Sequence, residues 1–168
     1  MAIPVYMSIT GAKQGQITQD ACNPESIGND HEKEHVNQIK VLAFDHLIEV
    51  PGDIVSGQTT GRPVHRALRI TKLFDRSSPL LYQAMITGET LSEVEISWYR
   101  TAVVGGEELY YRTMLEGARI VQIRDLMADC RDMDKSRSSH MQEVDFCYDT
   151  ISWSHEISNT VGIAELRK

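Results

Sequence analysis

The sequence predicts a mainly β fold: a two-sheet β-barrel or sandwich with one short α-helix packed on its side. Three observations carry this. Apolar residues recur with period two over most of the chain, as they do in strands with one buried face. Gly105-Gly106 separates two such runs and makes positive φ available at both positions of a hairpin turn. One stretch, from Ser78-Pro79 to Gly88, has helical spacing together with its own start and stop signals.

Taken in order, Ile3, Val5, Met7 and Ile9 alternate with smaller or polar residues. Residues 39–50 are apolar on both faces, as a strand crossing a core would be, and residues 64–74 place Val64, Leu68 and Ile70 on one side. Ser78 is positioned to cap an orphan backbone N–H, and Pro79 then takes the first helical position, where its missing N–H costs nothing. On that reading Ser78→Ala costs about 1 kcal/mol. Leu80, Leu81, Ala84 and Met85 share a face, Gly88 supplies the left-handed stop, and so short a helix requires a sheet to pack on. In the next strand Val94, Ile96 and Trp98 oppose Glu93, Glu95, Ser97 and Tyr99. Beyond the hairpin, Leu109, Tyr111, Thr113 and Leu115 alternate with Tyr110, Arg112 and Met114. Gly117 then permits a bulge or bend before the strand resumes. Val144, Phe146 and Tyr148 share one parity and Ile151 and Trp153 the other. This predicts a break near Asp149-Thr150 that lets the chain serve two sheets or curl round a barrel. Residues 10–36, 51–63 and 128–141 read as loops, and the strand pattern is expected to end at Ile157.

At 168 residues the chain fits a single domain spanning 1–168 with a substantial core. A net charge of −7 and a pI near 5.3, with Lys and Arg scattered, disfavour nucleic acid and anionic membranes as partners. The 3 cysteines, Cys22, Cys130 and Cys147, lie far apart and cannot all pair internally, which points to reduced thiols. No apolar run reaches membrane-spanning length, so membrane insertion is not expected. The N-terminus lacks the charged and apolar regions of a signal peptide, so folding in the cytoplasm is expected.

Several motif matches fail on their physical requirements. His31-Glu32-Lys33-Glu34-His35 has the HExxH spacing of zinc hydrolases. That chemistry needs a helix to bring both histidines to one metal, and here a polar loop is expected, with at most incidental metal capture. Residues 52–59 have P-loop spacing, but Gln58 stands in place of the phosphate-binding lysine and Arg62-Pro63 follows where a helix should run. Asp132, Asp134, Ser136 and Glu143 fit a calcium-loop template whose sharp turn needs glycine, where Arg137 stands beside Lys135. Glu93 with Glu95, and Glu107 with Glu108, read as solvated carboxylates rather than an acid/base pair. Ser154-His155 and Cys147 lack a third catalytic partner. No catalytic or metal residues and no cofactor are therefore assigned.

Thr71-Lys72, Asp75, Ser77-Ser78-Pro79-Leu80-Leu81-Tyr82, Gly88 and Trp98-Tyr99-Arg100 together resemble the hemolysin-coregulated protein (Hcp) family, the tube proteins of bacterial type VI secretion. The opening Ala2-Ile3-Pro4-Val5-Tyr6-Met7, the run Glu107-Glu108-Leu109-Tyr110-Tyr111, and Tyr148 with Thr150-Ile151-Ser152-Trp153 extend the likeness over most of the chain. The resemblance implies a non-enzymatic structural subunit forming hexameric rings. These stack into a hollow tube, with sheath, spike and effector proteins as partners, and the tube is secreted without a cleaved signal. It also places ring-to-ring contact in the loop containing Gly52, Asp53, Ile54, Val55, Gly57, Gln58, Thr59, Thr60, Gly61 and Arg62. Ile54 and Val55 are loop apolars suited to a partner's groove, and Gly52, Gly57 and Gly61 allow the loop its shape. Two features depart from the family pattern: the longer, more charged 10–36 connection, and Gly117-Ala118 in the stretch 115–118. A monomeric β-domain binding a ligand or protein, and a metal-dependent hydrolase using His31 and His35, stand as the alternatives.

Overall fold

A computed structural model of the chain describes residues 3–132, 134 and 140–166. The strands and helices run β1 (Val5–Gly11), β2 (Gly15–Gln16), α1 (Pro24–Ile27), β3 (Ile39–Asp45), β4 (Ile48–Glu49), β5 (Val64–His65), β6 (Leu68–Leu73), α2 (Ser78–Thr87), β7 (Leu91–Thr101), β8 (Glu107–Leu126), β9 (Met141–Cys147), β10 (Thr150–His155) and β11 (Thr160–Glu165). Hydrogen bonding in the order β8-β7-β1-β3-β6-β9, with β9 returning to β8, closes a ring of antiparallel strands, and β10 and β11 fan out from β8. Closure leaves those ring strands no free edge. The expected barrel with one side-packed helix is therefore present.

β8 makes closure possible. Its first half pairs with β7 and β10, its second half with β9. The switch occurs at Gly117, whose φ is +62°. Thr113 and Leu115 are buried before it, Ala118 and Ile120 after it, so inward parity flips at the expected bend. The break foreseen near Asp149-Thr150 lies between β9 and β10, and both strands then pair with β8. Inside the ring, Met7, Ile9, Ile70, Ile96, Leu115 and Phe146 are fully buried, each contributing roughly 1.5–3 kcal/mol of apolar transfer.

Gly105 and Gly106 adopt φ of +93° and +85°, as the hairpin requires. Gly88 ends α2 in the left-handed conformation at φ 65°, ψ 30°, and its N–H reaches the Ala84 and Met85 carbonyls. The start of α2 differs from expectation. Ser77 holds the cap position, but its hydroxyl donates back to Asp75 Oδ1 instead of accepting from the helix, and Ser78 is already helical. The Ser78 hydroxyl accepts from Lys72 Nζ at 2.9 Å and from the Asp75 N–H at 3.1 Å, while Asp75 Oδ1 receives the Ser77 N–H at 2.8 Å. Leu81 and Ala84 face the core, but Leu80 turns toward solvent.

Three further corrections concern the chain's periphery. Residues 39–50 are not one core-crossing strand: β3 ends at Asp45, and β4 pairs only with β5 in a hairpin that leaves the barrel. Leu47 and Val50 are consequently exposed, and so are Leu42, where the β3–β6 register shifts, and Val64. The 10–36 connection is not a solvated loop. It buries Ile17, Thr18, Ala21, Cys22 and His35 against the barrel, because Tyr6 and the β1 backbone offer it partners: the Ile17 N–H bonds the Ile9 carbonyl, and the Ile9 N–H bonds Thr18 Oγ1. Finally, the strand pattern does not stop at Ile157, since β11 returns along β10 in full register.

Candidate functional site

The β1, β3 and β7 registers send two hairpins out from one end of the barrel. Tyr6 lies opposite Ser97 and Val5 opposite Val41, so the ends of β7 and β3 both project past the start of β1. From these ends spring the β7–β8 turn and the long hairpin carrying β4 and β5.

The long hairpin holds every residue of the expected contact loop: Gly52, Asp53, Ile54, Val55, Gly57, Gln58, Thr59, Thr60, Gly61 and Arg62 are all exposed. Its tip is built rather than slack. Gly52 bridges Thr59, the Asp53 N–H bonds the Gln58 carbonyl, and the Gly57 N–H, at φ +69°, bonds the Asp53 carbonyl. Asp53 Oδ1 accepts the Val55 N–H at 2.9 Å and Oδ2 accepts the Ser56 hydroxyl at 2.8 Å, which holds its carboxyl below the usual range. The backbone thus satisfied, Ile54 and Val55 stand 100% and 95% exposed. Arg62 follows in open chain, so residues 52–59 form a β-hairpin tip and not a phosphate cradle.

The base of this hairpin is latched to the barrel. The Tyr148 hydroxyl lies 2.8 Å from His46 Nε2 and 2.7 Å from His65 Nδ1, with both rings edge-on to the phenol. Burial raises Tyr148 to about 12. Burial, then the neighbouring His65, lowers His46 against a weaker opposing pull from Asp45. Composition gave no hint of this latch, whose members are far apart in sequence.

Two more apolar surfaces went unread in the sequence. Val103 and Val104 at the β7–β8 turn are completely exposed. Val161 and Ile163 on β11 are about two-thirds exposed along the sheet's open edge. Alternation at 161–163 was visible, but Gly162 between them weakens the strand signal.

The catalytic decoys dissolve in three dimensions. His31 and Glu32 are extended chain leading into a 3₁₀ turn at Lys33–His35, not an α-helix, and His31 Nδ1 lies 2.9 Å from the Gly28 carbonyl. His35 is buried and stacked on Tyr6, so the polar-loop expectation fails for it. Glu95 pairs with Arg112 at 3.3 Å, Glu108 with Arg100 at 2.6 Å. The Ser154 hydroxyl donates to Glu156 at 2.6 Å, and His155 Nδ1 accepts the Ser158 N–H at 3.1 Å, so the two form no catalytic pair. Glu143 sits on β9 beside Arg69 and Arg124, turned to the sheet; Lys135, Ser136 and Arg137 of the calcium template lie outside the described residues. Among the described residues no helix is long and apolar enough to cross a membrane.

Comparison with known proteins agrees with this geometry. The profile of the family described as type VI secretion system effector, Hcp, matches residues 6–155. The Major exported protein of Pseudomonas aeruginosa is 47% identical over 167 residues, covering 99% of this chain and 97% of that protein. A crystal structure of an Hcp protein superposes with a TM-score of 0.94 at 34% identity, over 99% of both chains. The secreted protein Hcp3 from Pseudomonas aeruginosa gives 0.84 at 42% identity, over 99% of this chain and 100% of that one. A closed β-ring, apolar hairpin tips and these likenesses converge: the chain belongs to the Hcp family of secreted type VI secretion proteins.

Proposed function

We propose that this chain is the structural subunit of a type VI secretion tube. Copies close into hexameric rings, the rings stack into a hollow tube, and the expelled tube carries effector proteins in its lumen. Sheath and spike proteins are its partners in the machine, and the whole of 1–168 acts as one unit that catalyses nothing. Before assembly the subunit resides in the cytoplasm, and it leaves the cell through the secretion apparatus.

The observation that carries this reading is the pair of hairpins at one barrel end, their backbones self-satisfied and their apolar tips presented to solvent. A folded monomer gains nothing from four aliphatic side chains in water, whereas a neighbouring ring would bury them. Inter-ring contact is assigned to residues 52–62, with Ile54 and Val55 as its apolar anchors. The exposed edge of β11 adds a surface for lateral association, since unpaired strand backbone recruits other chains.

Sedimentation and native mass spectrometry test the proposal. A discrete oligomer at a multiple of the 19.0 kDa subunit, seen as annuli in negative stain, is expected. A chain that stays monomeric at high concentration is instead a β-domain with some other partner, and the tube reading fails.

A further inference from the structure

We infer that Glu34, His35 and Glu107 form a site for a divalent first-row transition cation of the zinc class, with His35 Nε2 as the fixed ligand. Their donor atoms all lie within 4.8 Å of one another, in a shallow cleft where the 3₁₀ turn at Lys33–His35 meets the start of β8.

The tautomer of His35 is the first argument. Its Nδ1 lies 2.7 Å from Gln38 Oε1, an oxygen that only accepts, so Nδ1 carries the ring proton. In the neutral ring Nε2 therefore presents a lone pair. That atom is buried, has no hydrogen-bond partner, and faces Glu107 Oε2 at 3.8 Å. A lone pair aimed at a carboxylate is repulsive until a proton or a metal cation lies between them. The arrangement also matches how proteins prepare a metal-binding histidine, with the distal N–H given to a carbonyl oxygen that fixes ring orientation.

Rigidity is the second argument. The imidazole is stacked on Tyr6 at 3.6 Å and 11°, with Tyr99 edge-on at 4.9 Å, and the residue is only 7% exposed. Glu34 and Glu107 are exposed and free to adjust. Ligands at about 2.0–2.2 Å from a tetrahedral cation stand roughly 3.3 Å apart, so glutamate rotamer changes alone close the site. One imidazole and two carboxylates suit zinc or a neighbouring first-row ion, and leave a position for water. This set differs from the HExxH reading: His31 is not in it.

Occupancy would tie the 10–36 connection to the base of the β7–β8 hairpin, which Glu107 begins. The site needs only a single subunit, so it stands or falls apart from ring formation. The test is zinc(II) titration of the purified full chain against a chromogenic competitor. One zinc per chain is expected, with Glu34→Gln and Glu107→Gln each weakening binding by about tenfold or more, Gln38→Ala weakening it through the lost tautomer lock, and His31→Ala without effect. Both glutamates are exposed, so those variants keep the fold. If zinc does not bind, if either glutamate variant binds it as tightly as the unaltered chain, or if binding depends on His31, the inference is overturned. The same holds if His35 Nε2 responds in NMR to protons but not to zinc, since the ion pair with Glu107 would then be its whole role.

Discussion

At the residue scale, Lys72 shows how far side-chain chemistry departs from what its position alone announces. Its side chain is wholly buried, and the ammonium is held by Asp75 Oδ1, the Leu73 carbonyl and the Ser78 hydroxyl, each at 2.9 Å. Desolvation lowers its pKa, and the Asp75 charge offsets part of that. An isolated buried ammonium is too costly to keep, so every member of this cage matters. Ser78→Ala removes one oxygen from the charge and also strands the Asp75 N–H. We expect a loss of about 1.5–3 kcal/mol in chemical denaturation, more than a simple helix cap provides, because bonds to charged groups exceed neutral ones. Ser78→Thr should restore most of it. A loss below about 0.5 kcal/mol would show that water replaces the hydroxyl without penalty.

At the element scale, two features join the barrel to its appendages. Gly117 combines φ +62° with a Cβ position only 2.6 Å from Asp149 Oδ2, so Gly117→Ala meets both backbone strain and a clash at the point where β8 changes partners. A destabilisation of about 2 kcal/mol or more is expected by thermal or urea unfolding. A near-neutral result would mean that the bend relaxes freely. The His46–Tyr148–His65 latch adds a pH dependence. In the folded protein His46 titrates below its ordinary 6.5, so the unfolded chain binds more protons just under that pH. The latch's contribution is therefore complete above 6.5, falls as pH drops through it, and levels off below the folded-state value. Protection against hydrogen exchange in residues 48–65, taken relative to the intrinsic exchange rate at each pH, should fall on acidification from pH 7 to 5. In Tyr148→Phe that protection should already be low at pH 7, and unchanged protection in that variant would remove the latch.

The same elements show what the sequence could reveal. Period two, Gly88 and Gly105-Gly106 are local signals, and each reports a backbone demand met within a few residues. The parity changes at Gly117 and at 149–150 were legible for the same reason. The 10–36 connection was not. Its buried side chains are two short pairs, Ile17-Thr18 and Ala21-Cys22, and the lone His35 in an otherwise polar stretch, and they are buried only because an outer face carrying Tyr6 and Tyr99 waits across the fold. His35 likewise has HExxH neighbours in sequence but Gln38, Tyr6, Tyr99 and Glu107 in space. Partners brought together by closure leave no spacing to read.

At the scale of the whole molecule, the barrel has a polarity that the strand pattern alone does not show. The helix end is closed over: α2 buries Leu81 and Ala84, and the turn after β1 is tied down where Glu89 accepts the Lys13 and Gln14 N–H groups at 2.7 Å. The opposite end projects Ile54, Val55, Val103 and Val104, all at least 95% exposed. Polar substitution there separates folding from assembly. Ile54→Ser/Val55→Ser and Val103→Ser/Val104→Ser should each leave unfolding free energy within about 0.5 kcal/mol, because the side chains touch nothing in the monomer. If the long hairpin reaches the next ring, the Ile54/Val55 variant keeps discrete rings in sedimentation but loses stacked tubes in negative stain, as removing apolar anchors from an interface core does. Tubes of unchanged length and abundance would assign the stacking energy elsewhere, with the Val103/Val104 tip and the β11 edge next in line. Rings lost along with the tubes would instead place residues 54–55 in the lateral contact between subunits.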